Sequence, residues 1–393
     1  MPNLLIFILL ITFVALLFRI EFFFYLLYFF FGMYILSRLW GQHALDNVIF
    51  ERECDMRAFI GDRLPVKIRI QNRGFLPLPW LRVHDSLPLG IKSPNFYHCV
   101  ISLLPFEKKV LEYELNCRRR GYYPLGPLIV RGGDLFGLRN SEKRLEAPDA
   151  LWVYPKIVPL SKLELEAKVP FGYVRTKERI FEDPSRLVGV RDYQSGDSTR
   201  HIHWKATAAT GTLQVKRFEP AISIESQIFL NLNRDEYTYT RATPASETAI
   251  VTAASIASYL IEKRQTVGLS CNGKDPLAEE AIKITVPPRK GEAHRMHILD
   301  VLARAELSEH LSFADLLHQD RLQLTWGSTA IIISGHADDA LFDNMLLMKR
   351  SGFHVMLILV DSQTPFALVK QRAEDVGVTA HQVWQERDLD VWR

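Results

Sequence analysis

The apolar start of the chain constrains it most. Leu4 to Phe18 reads LLIFILLITFVALLF, with Thr12 as its one polar residue, and Phe22 to Leu36 reads FFFYLLYFFFGMYIL without a charge. Arg19-Ile20-Glu21 separates the two blocks. A single helix through both would extend about 50 Å at 1.5 Å per residue. That exceeds a hydrocarbon core of roughly 30 Å and would hold two charges at mid-membrane. A cleaved signal peptide fits poorly, because no Lys or Arg precedes Arg19 and a second apolar block follows at once. The pattern predicts two transmembrane helices within residues 1–40, joined by a charged turn, with Arg38 and Trp40 at the interface. Both termini then lie on one side of the cell membrane. Arg38, Arg52 and Arg57 follow the second block, against Arg19 alone in the turn, and this bias predicts soluble domains facing the cytoplasm.

The four cysteines agree with a reducing compartment: Cys54, Cys99, Cys117 and Cys271 show neither CxxC nor zinc-site spacing. With 48 basic and 45 acidic residues the charge is nearly balanced, which argues against a dedicated nucleic-acid binder.

Beyond the apolar blocks the periodicity changes twice. Over residues 45–155, Val66, Ile68 and Ile70 alternate with Lys67, Arg69 and Gln71, and Leu111, Tyr113, Leu115 and Cys117 alternate with Glu112, Glu114 and Asn116. A period of two with frequent Gly, Pro, Asn and Asp turns predicts a small β-sandwich-like domain. Residues 156–220 are polar and weakly periodic, and read as an elaborated linker. Residues 221–393 alternate buried-strand runs, such as Ala330 to Ile333 and Val355 to Val360, with helical stretches. One such helix is expected over Pro244 to Lys263 with Thr243 as its cap, and another over Asp338 to Arg350, ended by Gly352. The order predicts a doubly wound, mainly parallel sheet, so the fold class is α/β plus all-β.

The most distinctive segment is Gly189 to Lys216, GVRDYQSGDSTRHIHWKATAATGTLQVK. Arg191, Tyr193, Gly196, Asp197, Arg200, Ile202, Trp204, Lys205, Ala208 and Gly211 resemble the signature of the domain of unknown function 58 family, a group of bacterial membrane proteins. Arg120-Gly121-Tyr122, Asp134 to Leu138 and Val153-Tyr154-Pro155 resemble further landmarks of that family. The resemblance implies a von Willebrand factor A-like C-terminal domain. It also implies a role with a MoxR-type AAA+ ATPase in assembling or maturing client proteins, with no common biochemical activity.

The residues themselves are compatible with that role. Arg191, Asp192, Asp197, Arg200 and Lys205 form a cluster of opposite charge around Trp204. It reads either as a polar pin with Trp204 buried against it, or as a recognition surface for a protein partner that also includes Tyr193 and Gly196. His201 and His203 would share a face on a strand, so a hydrolase using Asp197, Arg200, His201 and His203 is the alternative function. A von Willebrand A domain holds magnesium through Asp-x-Ser-x-Ser after its first strand. The corresponding residues here are Asn231-Leu232-Asn233-Arg234-Asp235, a degenerate set short of negative charge for a hard cation, in which Asp235 could still ligate. No Walker A, Gly-x-Gly-x-x-Gly, nucleophile elbow or HExxH occurs, and no cofactor is expected.

Overall fold

The computed structural model describes residues 2–18, 21–43, 45–88, 90–92, 97–134, 140–145, 149–160, 182–194, 199–220, 225–278, 282–361 and 364–392. The chain forms two units, Met1–Lys156 with Leu299–Ala305, and Ile157–Ile298 with Glu306–Arg393.

The first unit opens with α1 (Pro2–Phe18) and α2 (Glu21–His43). Phe7 and Phe30 lie at similar distances from the turn and meet edge to face, 5.1 Å between ring centroids. The two helices are therefore an antiparallel hairpin. Leu9, Phe13, Phe22 and Phe29 are exposed on its outside. Among the described residues no helix is long and apolar enough to cross a membrane. The 17 residues of α1 extend about 25 Å, and the apolar run of α2 is closed off by Glu21 and Arg38. The structure thus holds an apolar hairpin where two transmembrane helices were expected. Its expected turn residue Arg19 lies outside the described residues.

Among the described residues eleven strands follow: β1 (Val48–Glu53), β2 (Arg57–Phe59), β3 (Arg63–Asn72), β4 (Leu78–Asp85), β5 (Ile91–Lys92), β6 (His98–Leu103), β7 (Lys108–Cys117), β8 (Gly121–Pro124), β9 (Leu128–Gly133), β10 (Asn140–Leu145) and β11 (Ala150–Tyr154). They make one sheet β1-β3-β7-β5, a second β10-β9-β4-β6, and a small third β2-β11-β8. The alternation read in the sequence sorts the side chains: β3 buries Leu64, Val66, Ile68 and Ile70 and exposes Lys67 and Arg69. Side chains of both four-stranded sheets, among them Val66, Leu115, Leu81 and Val130, share one core. That is the sandwich the pattern predicted.

This core contains charge. Arg52 of β1 donates Nε to Asp85 Oδ2 of β4 at 3.1 Å, and its Nη2 bonds the other oxygen. The Tyr113 hydroxyl of β7 donates to the same carboxylate at 2.5 Å. Burial, with Asp85 beside it, holds the Tyr113 hydroxyl protonated well above the ordinary tyrosine range. Arg52 and Tyr113 come from one sheet and Asp85 from the other, so the network ties the sheets together. Two landmark residues also act within this unit. Arg120 Nη1 donates to the carbonyls of Leu302, Ala303 and Ala305 at 2.9, 3.1 and 2.8 Å, and the Tyr154 hydroxyl donates to Asp300 at 2.7 Å.

In the second unit the stretch expected as a linker carries regular structure. β12 (Glu182–Asp192) and β13 (Gln214–Pro220) pair as an antiparallel ribbon, with α3 (Trp204–Thr210) between them. Then come β14 (Glu225–Leu230), α4 (Ala242–Glu262), β15 (Thr266–Cys271), β16 (Ile284–Arg289), α5 (Glu292–Arg304, whose residues from Leu299 on belong to the first unit), α6 (Phe313–Asp320), β17 (Thr329–Ser334), α7 (Asp339–Arg350), β18 (His354–Val360), α8 (Phe366–Asp375) and β19 (Thr379–Val383). The sheet order is β16-β15-β14-β17-β18-β19. Every neighbouring pair is parallel except β15 with β16. The expected doubly wound sheet is present, and α4 is buried along most of its length. Its cap is Arg241 rather than Thr243, without a side-chain cap bond. Pro244 still falls in the first turn, where it forfeits no helical hydrogen bond. The α7 boundary follows the expected signals, with the Asp338 carboxylate accepting from Leu341 N–H at 2.9 Å.

Candidate functional site

Strand order reverses at β14, which has β15 and β16 on one side and β17 to β19 on the other. In open α/β sheets, ligands bind beyond the carboxyl ends of the strands at such a point. The residues that end these strands here are polar: Asn231 after β14, Asn272 after β15 and Ser334 closing β17.

Asn231 sits at the centre and every one of its polar atoms is engaged. Its Nδ2 donates to Glu236 Oε2 at 2.7 Å and to Ser334 Oγ at 3.0 Å. Its Oδ1 accepts from Asn233 N–H at 3.0 Å and from Asn272 Nδ2 at 3.2 Å. Its backbone carbonyl accepts the Tyr237 hydroxyl at 2.7 Å. Gly335 is required beside that tyrosine, because a Cβ there would lie 2.3 Å from the ring. Two donors and two acceptor sites are all that a carboxamide side chain has. Asn233 likewise accepts from Asp235 N–H and donates to the Leu311 carbonyl. Of the three degenerate metal positions, Asn231 and Asn233 are therefore turned into internal bonds, and the side chain of Asp235 is exposed.

The one carboxylate in this network is Glu236. Burial raises its pKa, while hydrogen bonds from the Phe313 N–H and the Asn231 amide pull it back down. Ser334 does not form a nucleophile–base pair. Its hydroxyl donates to the His336 carbonyl at 2.7 Å and accepts the His336 N–H, so the imidazole does not activate it. No group of three or more His, Cys, Asp or Glu among the described residues could hold a metal ion. The arrangement can hold a polar surface rigid; it offers no activated nucleophile.

A second polar group lies at the end of β18. Asp361, with φ of 47°, receives the Arg241 Nε at 3.0 Å, and the Arg241 guanidinium lies over the Trp384 ring, 5.4 Å from its centroid. The other Asp361 oxygen is buried without a partner.

The signature residues fall on the ribbon and on α3. Arg191 and Asp192 end β12, and Asp192 accepts from the Gln214 side chain of β13. Tyr193 N–H donates to the Leu213 carbonyl at 2.9 Å. Gly196, Asp197 and the Arg200 side chain lie outside the described residues. His201 belongs to a short turn of 3-10 helix, Thr199–His201, whereas His203 caps α3 through Nδ1, which accepts from Ala206 N–H at 3.0 Å. The shared strand face expected of this His pair does not form. Trp204 is not buried as the polar-pin reading requires: it is 69% exposed at the first position of α3, with Lys205 exposed beside it. The burial there is provided instead by Ile202, bridged to Val215.

Sequence reasoning missed Asn272, Glu236 and the Arg241–Asp361 pair. The available signal was position: a polar residue directly after an apolar run marks the carboxyl end of a buried strand.

Residues 189–350 match the family described as "Protein of unknown function DUF58", and the resemblance read from Gly189 to Lys216 holds. The uncharacterized protein YeaD of Bacillus subtilis (strain 168) is 29% identical over 249 residues, 62% of this chain and 59% of that protein. The chain thus spans less than two thirds of that relative. Among solved structures, the conserved hypothetical protein BatB from Bacteroides thetaiotaomicron is 12% identical over 43% of this chain and 94% of that one, with a TM-score of 0.32. A von Willebrand factor type A protein from Catenulispora acidiphila is 8% identical over 46% and 42%, also with a TM-score of 0.32. Neither score establishes a shared fold, and the doubly wound assignment rests on the strand order itself.

Proposed function

We propose that this chain is a membrane-held binding module and not an enzyme, acting as an assembly factor for other proteins. The observation that supports this best is the saturated Asn231 network. The place where an α/β sheet would put its chemistry is filled by amides, a hydroxyl and the Glu236 carboxylate bonded to one another. In this reading the hairpin lies in the cell membrane as two short antiparallel spans in a locally thinned bilayer, and the folded domains face the cytoplasm. Trp204 and Lys205, exposed at the start of α3, are the contact residues for a protein partner. Arg191, Asp192 and Tyr193 on the adjoining ribbon frame them. The proposed partner is a MoxR-type AAA+ ATPase, with client proteins as the eventual substrates, on the strength of the family resemblance.

The test is capture of that ATPase by the full chain in detergent. Trp204→Ala should weaken capture roughly tenfold or more, the effect of losing one aromatic hot spot. Its unfolding midpoint should stay within about 0.5 kcal/mol of the parent, as for an exposed side chain. Equal capture by parent and variant would remove Trp204 from the proposed interface. Turnover of a small substrate by the parent, lost in His201→Ala, would replace the reading with a hydrolytic one.

A further inference from the structure

The β-sandwich exposes large apolar side chains at one end. Phe75 is 81% exposed in the turn between β3 and β4, and Leu104 and Phe106 are 65% and 64% exposed in the turn between β6 and β7. The two turns are built as one piece. Asn72 N–H donates to the Glu107 carbonyl at 3.0 Å, and the Asn72 Nδ2 donates to the carbonyls of Leu76 and Leu104 at 2.8 and 3.1 Å. Phe106 holds φ of 60°, a conformation costly for a bulky side chain, and still points its ring at solvent. An isolated exposed apolar residue needs no explanation; several held together at one end do.

Their place in the fold identifies what covers them. The turns lie at the end of the sandwich where α2 enters. Val48, the first residue of β1, pairs with Asn72 at the end of β3, and Gln71 pairs with Lys108 at the start of β7. Arg73 N–H donates to the Asn47 carbonyl at 2.9 Å, and the Trp40 indole of α2 donates to the Pro77 carbonyl at 3.1 Å. The apolar tips are therefore fixed beside the base of the hairpin. Arg73 and Lys108 are exposed in the same turns. Of the nearby acids, Glu107 is engaged by Lys109 and by Leu104 N–H, which leaves Asp46 as the exposed one.

We propose that these two turns are a second membrane contact, seating Phe75, Leu104 and Phe106 at the headgroup–acyl boundary of the bilayer that the hairpin enters. Arg73 and Lys108 then meet anionic headgroups. The inference rests on the reading of the hairpin as membrane-embedded. It adds that the sandwich is docked on the lipid surface instead of hanging free on a tether.

The full chain, reconstituted into vesicles of phosphatidylcholine and phosphatidylglycerol, tests this. Cys54→Ala and Cys99→Ala remove the partly exposed thiols, since Cys117 and Cys271 are buried. An environment-sensitive fluorophore is then attached in separate variants, Phe75→Cys, Phe106→Cys, Leu9→Cys in the hairpin and Arg63→Cys at the far end of β3. A lipid with a nitroxide high on its acyl chain should quench the labels at 75 and 106 and leave the label at 63 bright, while a deep nitroxide quenches the label at 9. Quenching at 9 with labels 75 and 106 as bright as 63 overturns the second contact and spares the hairpin reading. No quenching at 9 overturns both. Vesicles of phosphatidylcholine alone should reduce quenching at 75 and 106, and unchanged quenching there overturns the role given to Arg73 and Lys108.

Discussion

The two units bury polar groups in opposite ways. The β-sandwich uses charge, a guanidinium and a carboxylate joined across two sheets with side chains 1% and 0% exposed. The α/β domain uses mostly amides and a hydroxyl, which close around Asn231 at the ends of three strands with Glu236 as their one carboxylate. The difference follows from position. A pair sealed between two sheets can be reached by nothing, so its role is confined to holding those sheets. A network at the carboxyl ends of parallel strands stands where ligands bind in comparable sheets. Saturating it with hydrogen bonds around the single Glu236 carboxylate leaves a rigid platform.

The largest effect should come from breaking the charged network. Asp85→Ala leaves buried Arg52 with only Asp149 Oδ2, 3.8 Å from its Nη1, to offset its charge, and removing one member of a buried pair costs about 3–5 kcal/mol. Urea unfolding of the full chain in detergent should show it as an early transition of the sandwich. Replacing both partners with apolar residues of similar volume, Arg52→Met with Asp85→Leu, should recover most of the loss. If the double variant is as weak as the single one, the charge is contributing something other than a tie between sheets.

The amide network is tested by adding a charge to it. Asn231→Asp takes away both side-chain donors and turns a second carboxylate toward Glu236. Buried groups left unsatisfied cost about 1–3 kcal/mol each, so at neutral pH the α/β domain should unfold earlier. Two facing carboxylates raise the affinity for a proton in the folded state. The deficit should therefore shrink as pH falls through the carboxylate range and grow as pH rises. Midpoints measured across pH give the sign. Full rescue at neutral pH by magnesium would show a latent cation site and erase the contrast between the units.

The sequence made the layers legible because each carries its own period. Alternation in Val66 to Gln71 set which face of β3 is buried, and the apolar run Val355 to Val360 became a strand buried along its length. The ribbon of β12 and β13 was not legible, because a two-stranded element has no closed core to impose a period. Among its described residues it is anchored by Ile202 against Val215. The sequence left Trp204 open between a buried pin and an exposed surface, and the first turn of α3 turns it outward. The degenerate metal motif was visible as Asn231 and Asn233. The saturation of the site was not, since it depends on Asn272 and Ser334, brought from 41 and 103 residues away.

Asp361 falls between the two regimes and should show the smallest effect. One oxygen has an ion pair with a half-exposed arginine, and the other is buried without a partner. Burial raises its pKa, and Arg241 only partly opposes this. A carboxyl with a raised folded pKa binds its proton more tightly when folded. Its contribution to stability is therefore fully present below the unfolded value of about 3.9 and is lost as pH rises through the folded value. Asp361→Asn abolishes that titration. It keeps a side chain that tolerates the left-handed backbone at this position, and it gives up a surface-screened pair worth little. Since the remaining carboxylates are common to both proteins, the difference between the two midpoint-against-pH curves isolates this group. The variant should gain on the parent as pH rises from the acid side toward neutrality, then run parallel to it. Curves parallel throughout would mean that Asp361 ionises in the folded protein without penalty. The Arg241 pair would then have to count as a full partner, on the same footing as Arg52 with Asp85.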